Sequence, residues 1–333
     1  MQTGKLSEAA LMRSVLRQID PEPAACRKRY GADCTCLPQT AGTAPVYTAV
    51  STVPGWEDDP GYLVTAAVNN IAAACGEPRA LMVHAVLPAD SGEDVLKAGM
   101  RAIVQTAKQY GMQVLGGHTE RSSAVLRPWY HITGIGEVPD SGREPETAER
   151  DQAVLRPGDG LVLTKWIALA GTAALAVQKE EELGKRFPLS LIKNARGFAA
   201  LMPVLPEARI AVSTGAHAMH DLSQGGVFGA LWEMAERADV GLDIDLKRIP
   251  IRQETVEICE YFDLNPYNLY SAGSLLIGTR EPETLVQALV RSGISASVIG
   301  CATERNERII RNGEDVRFLD RPAQDEWYRK FGT

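Results

Sequence analysis

Residues 91–117 read SGEDVLKAGMRAIVQTAKQYGMQVLGG, and this stretch decides the fold class. It predicts a capped amphipathic helix stopped at Gly111, then a short strand ending at Gly116 and Gly117. On either side, RALMVHAVLPA (79–89) reads as a buried strand and PWYHITGIGEV (128–138) as another. Earlier in the chain, CTCLPQ and PVYTAVSTVP are short β-like runs, and the first thirty residues carry Leu11, Val15 and Ile19 at helical spacing. After these runs comes AAVNNIAAACGEPRAL (66–81), an apolar helix with Asp58, Asp59 and Pro60 suiting its start and Gly76 and Pro78 its stop. The amide pair Asn69 and Asn70 inside that run needs a reason, either hydrogen bonding to neighbouring groups or a ligand. Strands and helices alternate throughout, so the class is mixed α/β.

The chain has 333 residues, room for about two ordinary domains. PDSGREPETAERDQAVLRPGDG (139–160) is the best linker, giving expected domains 1–150 and 151–333. After it, LVLTKWIALAGTAALA starts a second block of strand, loop and helix, and VFGALWEMAERA and PETLVQALVRSG continue the alternation. Hydrophobic residues at 45% and charged residues at 23% fit a soluble globular enzyme. A net charge of −7 without a basic block argues against a nucleic-acid partner. No apolar run is long enough to span a membrane, and the start lacks a signal-like apolar region, so a cytoplasmic location is expected. The cysteines at 26, 34, 36, 75, 259 and 301 form no disulfide framework. The spacing of Cys26, Cys34 and Cys36 is not that of a zinc site, and small apolar packing suits them better.

Three segments could carry chemistry. In HAMHDLSQGGVFGALWEMAERADVG (217–241), Gly225 and Gly226 lead into a helix, where backbone N–H groups can approach an anion; His220 and Asp221 stand just upstream. A capped loop with a packed histidine is the alternative. In VLGGHTE (114–120), a strand meets Gly116, Gly117, His118, Thr119 and Glu120, a possible phosphate approach with a hydroxyl donor and a metal-binding carboxylate. In LTKWIALAGTAALA, Lys165 could neutralise a phosphate. No Walker sequence, nucleophile elbow, zincin helix or kinase signature is present.

Taken in order, GADCTCL, STV, VNNIAAACGEP, VLGGHTE, LTKWIALAGT, HDLSQGG and NPYNLYSAGSLLI resemble the aminoimidazole ribonucleotide (AIR) synthase-like, or PurM-like, superfamily. The branch they look most like is the AIR synthase-related proteins akin to the hydrogenase-maturation carbamoyl dehydratase. The resemblance implies an N-terminal α/β domain that forms a homodimer through its sheet, and a C-terminal α/β domain beside it. It implies ATP in a cleft, phosphates on glycine-rich segments and Mg²⁺ held by aspartates. It also implies an activity in which ATP phosphorylates an amide, carbamoyl or phosphate oxygen, chemistry that rests on positioning and charge neutralisation. Carried onto this chain, Asp33, Asn70, Glu120 and Asp221 become the expected metal ligands. Asn69, Asn70, Gly116, Gly117, His118, Thr119, Lys165, Gly225 and Gly226 become the expected nucleotide contacts, with His220 and Asp221 as catalytic residues.

The chain departs from that pattern. Val53 and Asn70 stand where the family carries aspartates, and losing two anionic ligands weakens a magnesium site. The last residues, EWYRKFGT, contain no cysteine, so the dehydratase's reaction on its own tail is not expected, and the start does not present the reactive cysteine of selenophosphate synthases. Two readings follow: an ATP-dependent enzyme acting on a small molecule or a protein tail, possibly in hydrogenase or metalloenzyme maturation, or a catalytically impaired nucleotide-binding scaffold acting through a protein partner.

Overall fold

A computed structural model describes residues 5–19, 30–36, 44–53, 55–138 and 154–332. The chain divides into two compact units, one of Asp33–Arg150 and one combining Met1–Ala32 with Asp151–Thr333. Described residues 5–19 and 30–32 thus cluster with the C-terminal half, although they fall within the expected domain 1–150. Specific contacts hold them there: Lys5 pairs with Glu233 at 2.9 Å, and the Trp232 indole N–H donates to Glu8 at 3.1 Å. Most of the expected linker, residues 139–153, lies outside the described residues, as does Cys26.

The N-terminal segment is helical from α1 (Glu8–Leu11) through a π-helical stretch (Met12–Leu16) to α2 (Arg17–Ile19). Its buried face is Leu16, with Leu11 and Met12 packed nearby, while Val15 and Ile19 are exposed. The expected Leu11, Val15, Ile19 stripe is therefore not the packed one. The wider π turn shifts the helical phase that a 3.6-residue count assumes.

Unit 33–150 contains β1 (Thr35–Cys36), β2 (Ala44–Ser51), α3 (Gly61–Ala73), β3 (Glu77–Pro88), α4 (Glu93–Gln109), β4 (Gln113–Ser122) and β5 (Trp129–Val138). The five strands lie in the order β1-β2-β5-β3-β4, antiparallel except for the parallel pair β3 and β4. Residues 91–117 are the core of the crossover joining that parallel pair, which is why a helix must intervene. Glu93 and Asp94 open α4 and Lys108 closes it, matching the helix dipole, and Gly111 turns the chain at φ +67°. Val83, Ala85 and Leu87 of β3 and Tyr130 and Ile132 of β5 are buried on the helix-covered face. Met82, His84 and Trp129 stand exposed on the opposite face.

β4 does not end at Gly116 and Gly117 as the sequence suggested; it runs through them to Ser122. A Cβ on Gly117 would lie 1.7 Å from the Val83 carbonyl oxygen, and the β3 register shifts at Leu81/Met82. The glycine is needed for close strand approach at an irregularity.

The other unit continues with β6 (Gly160–Thr164), α5 (Leu169–Gln178), α6 (Glu180–Gly184), α7 (Leu189–Gly197), α8 (Leu205–Ser213), β7 (Ala218–Asp221), α9 (Gly226–Ala238), β8 (Gly241–Asp245), α10 (Gln253–Phe262), β9 (Leu275–Thr279), α11 (Pro282–Arg291), β10 (Ala296–Thr303), β11 (Arg308–Asn312), β12 (Asp315–Phe318) and α12 (Glu326–Phe331). Its seven strands lie in the order β12-β11-β8-β10-β6-β9-β7. β6 and β9 are buried at every position, as uninterrupted apolar strands covered on both faces should be. Leu161, Leu163, Val227, Leu231, Ile244 and Leu276 belong to the core cluster beneath α9. Among the described residues no helix is long and apolar enough to cross a membrane.

Candidate functional site

The two asparagines of α3 have different surroundings. Asn69 is 1% exposed, whereas Asn70 is half-buried and reaches β2. Asn70 Nδ2 donates to Thr48 Oγ1 at 2.8 Å, and Thr48 Oγ1 donates to the Asp33 carbonyl at 3.0 Å. A hydroxyl has one proton to give, so Thr48 can only accept from residue 70 while it serves Asp33. That fixes the amide orientation: the NH₂ faces Thr48 and Oδ1 faces away, with no donor to it among the described residues. The Cys34 thiol donates to the Asn70 carbonyl at 3.2 Å, tying the same segment to the helix. The Asp33 backbone and the Asn70 side chain are thus linked through Thr48. Val53 offers only its carbonyl, which accepts from the Trp56 N–H at 3.0 Å.

His118, Thr119 and Glu120 are exposed on β4. In register across the sheet, His118 stands opposite His84, His84 opposite His131, and His131 opposite Ser51. These residues form one row on the uncovered face, where Ser51 Oγ and His131 Nδ1 lie 2.8 Å apart and the His84 and His131 rings are 6.0 Å apart. Burial, then the neighbouring His84, pull the His131 pKa down. Glu120 is 3.5 Å from His118 on that face, whereas buried Thr48 is on the helix-covered face, three strands away and level with Val114 on β4. The sheet therefore keeps Glu120 apart from Asp33 and Asn70 within the unit.

In the other unit, His220 and Asp221 are adjacent on β7, so their side chains leave opposite faces of the strand. His220 Nε2 donates to Glu233 of α9 at 3.1 Å, and Lys5 holds the other carboxylate oxygen. Burial would raise the Glu233 carboxyl, but Lys5 and His220 outweigh it and bring its pKa to about 2. Burial and the surrounding carboxylates, Glu233 first among them, push the Tyr30 phenol up. His220 is 4% exposed and its ring is hydrogen-bonded to the carboxylate that Lys5 also holds, so its expected catalytic role draws no support from this geometry. Asp221 is 2% exposed and near enough to Lys165 to affect its titration.

Lys165 is likewise engaged by neighbouring groups. Its ammonium has three protons, and the structure uses all three: on the Leu201 carbonyl at 2.8 Å, the Pro203 carbonyl at 2.7 Å and Glu207 Oε1 at 2.5 Å. Burial lowers its pKa, with Glu207 and Asp221 acting in the opposite direction. No proton remains for a phosphate.

Gly225 and Gly226 do meet an anion, but it is the chain's own. The Gly225 N–H donates to Asp325 Oδ2 at 2.7 Å, while Trp327 N–H donates to Oδ1 at 2.8 Å. Asp325 is 5% exposed, and burial raises its carboxyl to about 6 despite the N–H groups of Gly225, Trp327 and Tyr270. Both glycines have left-handed φ values, and a Cβ on Gly226 would lie 2.3 Å from the Tyr267 carbonyl oxygen. Sequence reading recognised the anion-ready turn but could not name an occupant a hundred residues away.

Asp33 and Asn70 are in one unit, Glu120 lies on the far face of its sheet, and Asp221 belongs to the other unit. No group of three or more His, Cys, Asp or Glu side chains among the described residues is placed to hold a metal. One carboxylate and one amide oxygen suit only a hard cation that takes most of its ligands from phosphate and water. The histidine row escaped sequence reading because its members come from three strands and meet only through sheet order.

Two sheet-and-helix units in tandem, the first built on a crossover with a mixed five-stranded sheet, define a two-domain PurM-like α/β protein. The chain belongs to the AIR synthase-related family: its N-terminal domain matches residues 35–138 and its C-terminal domain residues 156–311. A putative hydrogenase expression/formation protein of Methanocaldococcus jannaschii is 27% identical over 79% of this chain and 76% of its own length. The carbamoyl dehydratase HypE of Rhodobacter capsulatus is 29% identical over 74% of this chain and 71% of its own. A crystal structure of a HypE–HypF complex shares the fold with TM-score 0.73 at 20% identity, covering 94% of this chain and 100% of that one. A HypE structure in complex with ATP does so with TM-score 0.68 at 18% identity, covering 98% of each. At these identities the two structures speak to the fold.

Proposed function

We propose that this protein is an ATP-dependent enzyme that activates an amide, carbamoyl or phosphate oxygen by phosphorylation, in the manner of maturation enzymes such as carbamoyl dehydratase. The observation that carries the reading is the match of both family domains in order, together with the Asp33–Thr48–Asn70 chain, which ties the Asp33 backbone to a helix position whose amide oxygen faces outward. ATP is the proposed ligand, and Mg²⁺ would come with it, held mainly by the nucleotide's phosphates, with Asp33 and Asn70 Oδ1 as protein ligands. Phosphoryl transfer needs positioning and charge neutralisation more than a nucleophilic side chain, so this reading requires no assembled nucleophile and base. Gly225 and Lys165, both committed to internal partners, are left out of this site.

The uncovered sheet face, with Met82 39% and Trp129 45% exposed, is the proposed homodimer surface. A cytoplasmic location and a maturation role are part of the same reading. A second reading is favoured by Val53 and Asn70: a nucleotide-binding homologue with little turnover that acts through a protein partner. Measuring phosphate release from ATP with and without candidate amide substrates separates them. Turnover at enzyme-like rates supports the first; nucleotide binding with no release above background supports the second.

A further inference from the structure

The N-terminal ends of α3 and α4 and the β4–β5 connection enclose a groove of about 650 Å³, within the size range of small-molecule sites. It is separate from the Asn70 region, since Pro60 at the groove and Asn70 are about 15 Å apart along α3. Val95 and Ala98 give it an aliphatic wall, and Glu57, Asp58 and Asp94 ring its mouth with Arg127.

Its floor is unusual. Tyr130 is 2% exposed and lines the groove, yet among the described residues nothing donates to or accepts from its hydroxyl. A Cβ on Gly99 would lie 2.0 Å from that oxygen, so a glycine in mid-helix, unfavourable for α4, makes room for it. The ring is buried while the hydroxyl keeps contact with the groove, free to meet a ligand there, and burial is the one influence acting on this phenol, raising its pKa.

The mouth is negative. Glu57 is partly engaged, accepting the Gly55 N–H at 2.8 Å with Arg127 at 4.0 Å. Asp58 and Asp94 make no hydrogen bond or ion pair among the described residues. The two helix N-termini offset about half a charge each, which leaves three carboxylates and one guanidinium with an excess of negative charge. A metal is a poor fit, because no set of three ligands is placed for one among the described residues.

We infer that this groove binds a small organic cation of the amino-alcohol class, its ammonium on Asp58 and Asp94, its stem along Val95 and Ala98, and its hydroxyl on Tyr130. This site is independent of the ATP reading. The test uses the full chain and three probes, aminobutanol, butylamine and butanediol, followed by amide NMR shifts at groove residues. Aminobutanol should saturate in the millimolar range expected of so small a ligand, butylamine should bind about fivefold more weakly, and butanediol should not bind. Asp58→Asn with Asp94→Asn should weaken aminobutanol about tenfold, and Tyr130→Phe should erase its advantage over butylamine. Both sets of changes remove groups without internal partners, and a thermal melt verifies that each variant folds. Equal binding of butanediol, no effect of Tyr130→Phe, or no saturable shift by about 50 mM aminobutanol would overturn the assignment.

Discussion

Replacing Lys165 with Met distinguishes a structural lysine from a phosphate-binding one. The change keeps the aliphatic stem but removes the ammonium, leaving Glu207, 2% exposed, as a buried carboxylate without its cation. The Leu201 and Pro203 carbonyls lose their shared donor as well. Breaking a buried ion pair by removing one partner costs about 3–5 kcal/mol, and the freed carbonyls place this site toward the upper end. The double change Lys165→Met with Glu207→Leu removes the orphaned charge too, and should recover at least about 2 kcal/mol of that loss. Urea unfolding of the parent, both single variants and the double variant gives the four free energies of the cycle. ATP titration of the folded single variant should show affinity within about twofold of the parent, since no proton of Lys165 is free for a phosphate. A stability loss under about 1 kcal/mol combined with a tenfold loss of ATP affinity would refute the structural assignment.

Other outcomes follow from the same geometry. Glu233, held near 2 rather than its usual 4.5, contributes stability that is complete above about pH 4.5 and lost as pH falls through about 2. Glu233→Gln should cost about 3 kcal/mol at pH 7 and progressively less toward pH 2.5, measured by urea unfolding; a pH-independent difference would contradict the Lys5–Glu233–His220 arrangement. Asp325 acts with the opposite sign, because its raised pKa makes folding weaker as pH climbs from about 4 to about 6, and Asp325→Asn should flatten that part of the profile. Gly226→Ala should destabilise by about 2–4 kcal/mol in a thermal melt, since its Cβ would meet the Tyr267 carbonyl and its φ is +64°. Asn70→Asp should cost about 1 kcal/mol by forcing the Thr48 hydroxyl to leave Asp33, while Val53→Asp with Asn70→Asp should tighten magnesium-dependent ATP binding about tenfold by calorimetry.

Much of the fold was legible because it rests on local signals. The helix Glu93–Gln109, its glycine stop and the strands around it are visible in residue periodicity, and uninterrupted apolar runs such as LVLT mark fully buried strands. Less of the candidate site was legible, for a consistent reason. A lysine, a histidine or a glycine turn announces what it can bind, but its partner is chosen by tertiary structure. Glu207 claims Lys165, Glu233 claims His220, and Asp325 claims the Gly225 N–H, each from another element. Gly116 and Gly117 looked like a phosphate turn because glycine pairs serve both turns and strand irregularities, and only the neighbouring Val83 backbone decides between them. Asn70 is a position whose amide the structure explains in half, through the hydrogen bond to Thr48, with Oδ1 facing outward.

The central claim is that this chain binds ATP for phosphoryl transfer, and isothermal titration of the intact protein with ATP, in magnesium and again in chelator, tests it most directly. The account predicts saturable heat with a dissociation constant below about 1 mM in magnesium, weakened but still measurable in chelator because the protein supplies few of the metal's ligands. No heat at millimolar nucleotide in either condition would contradict it.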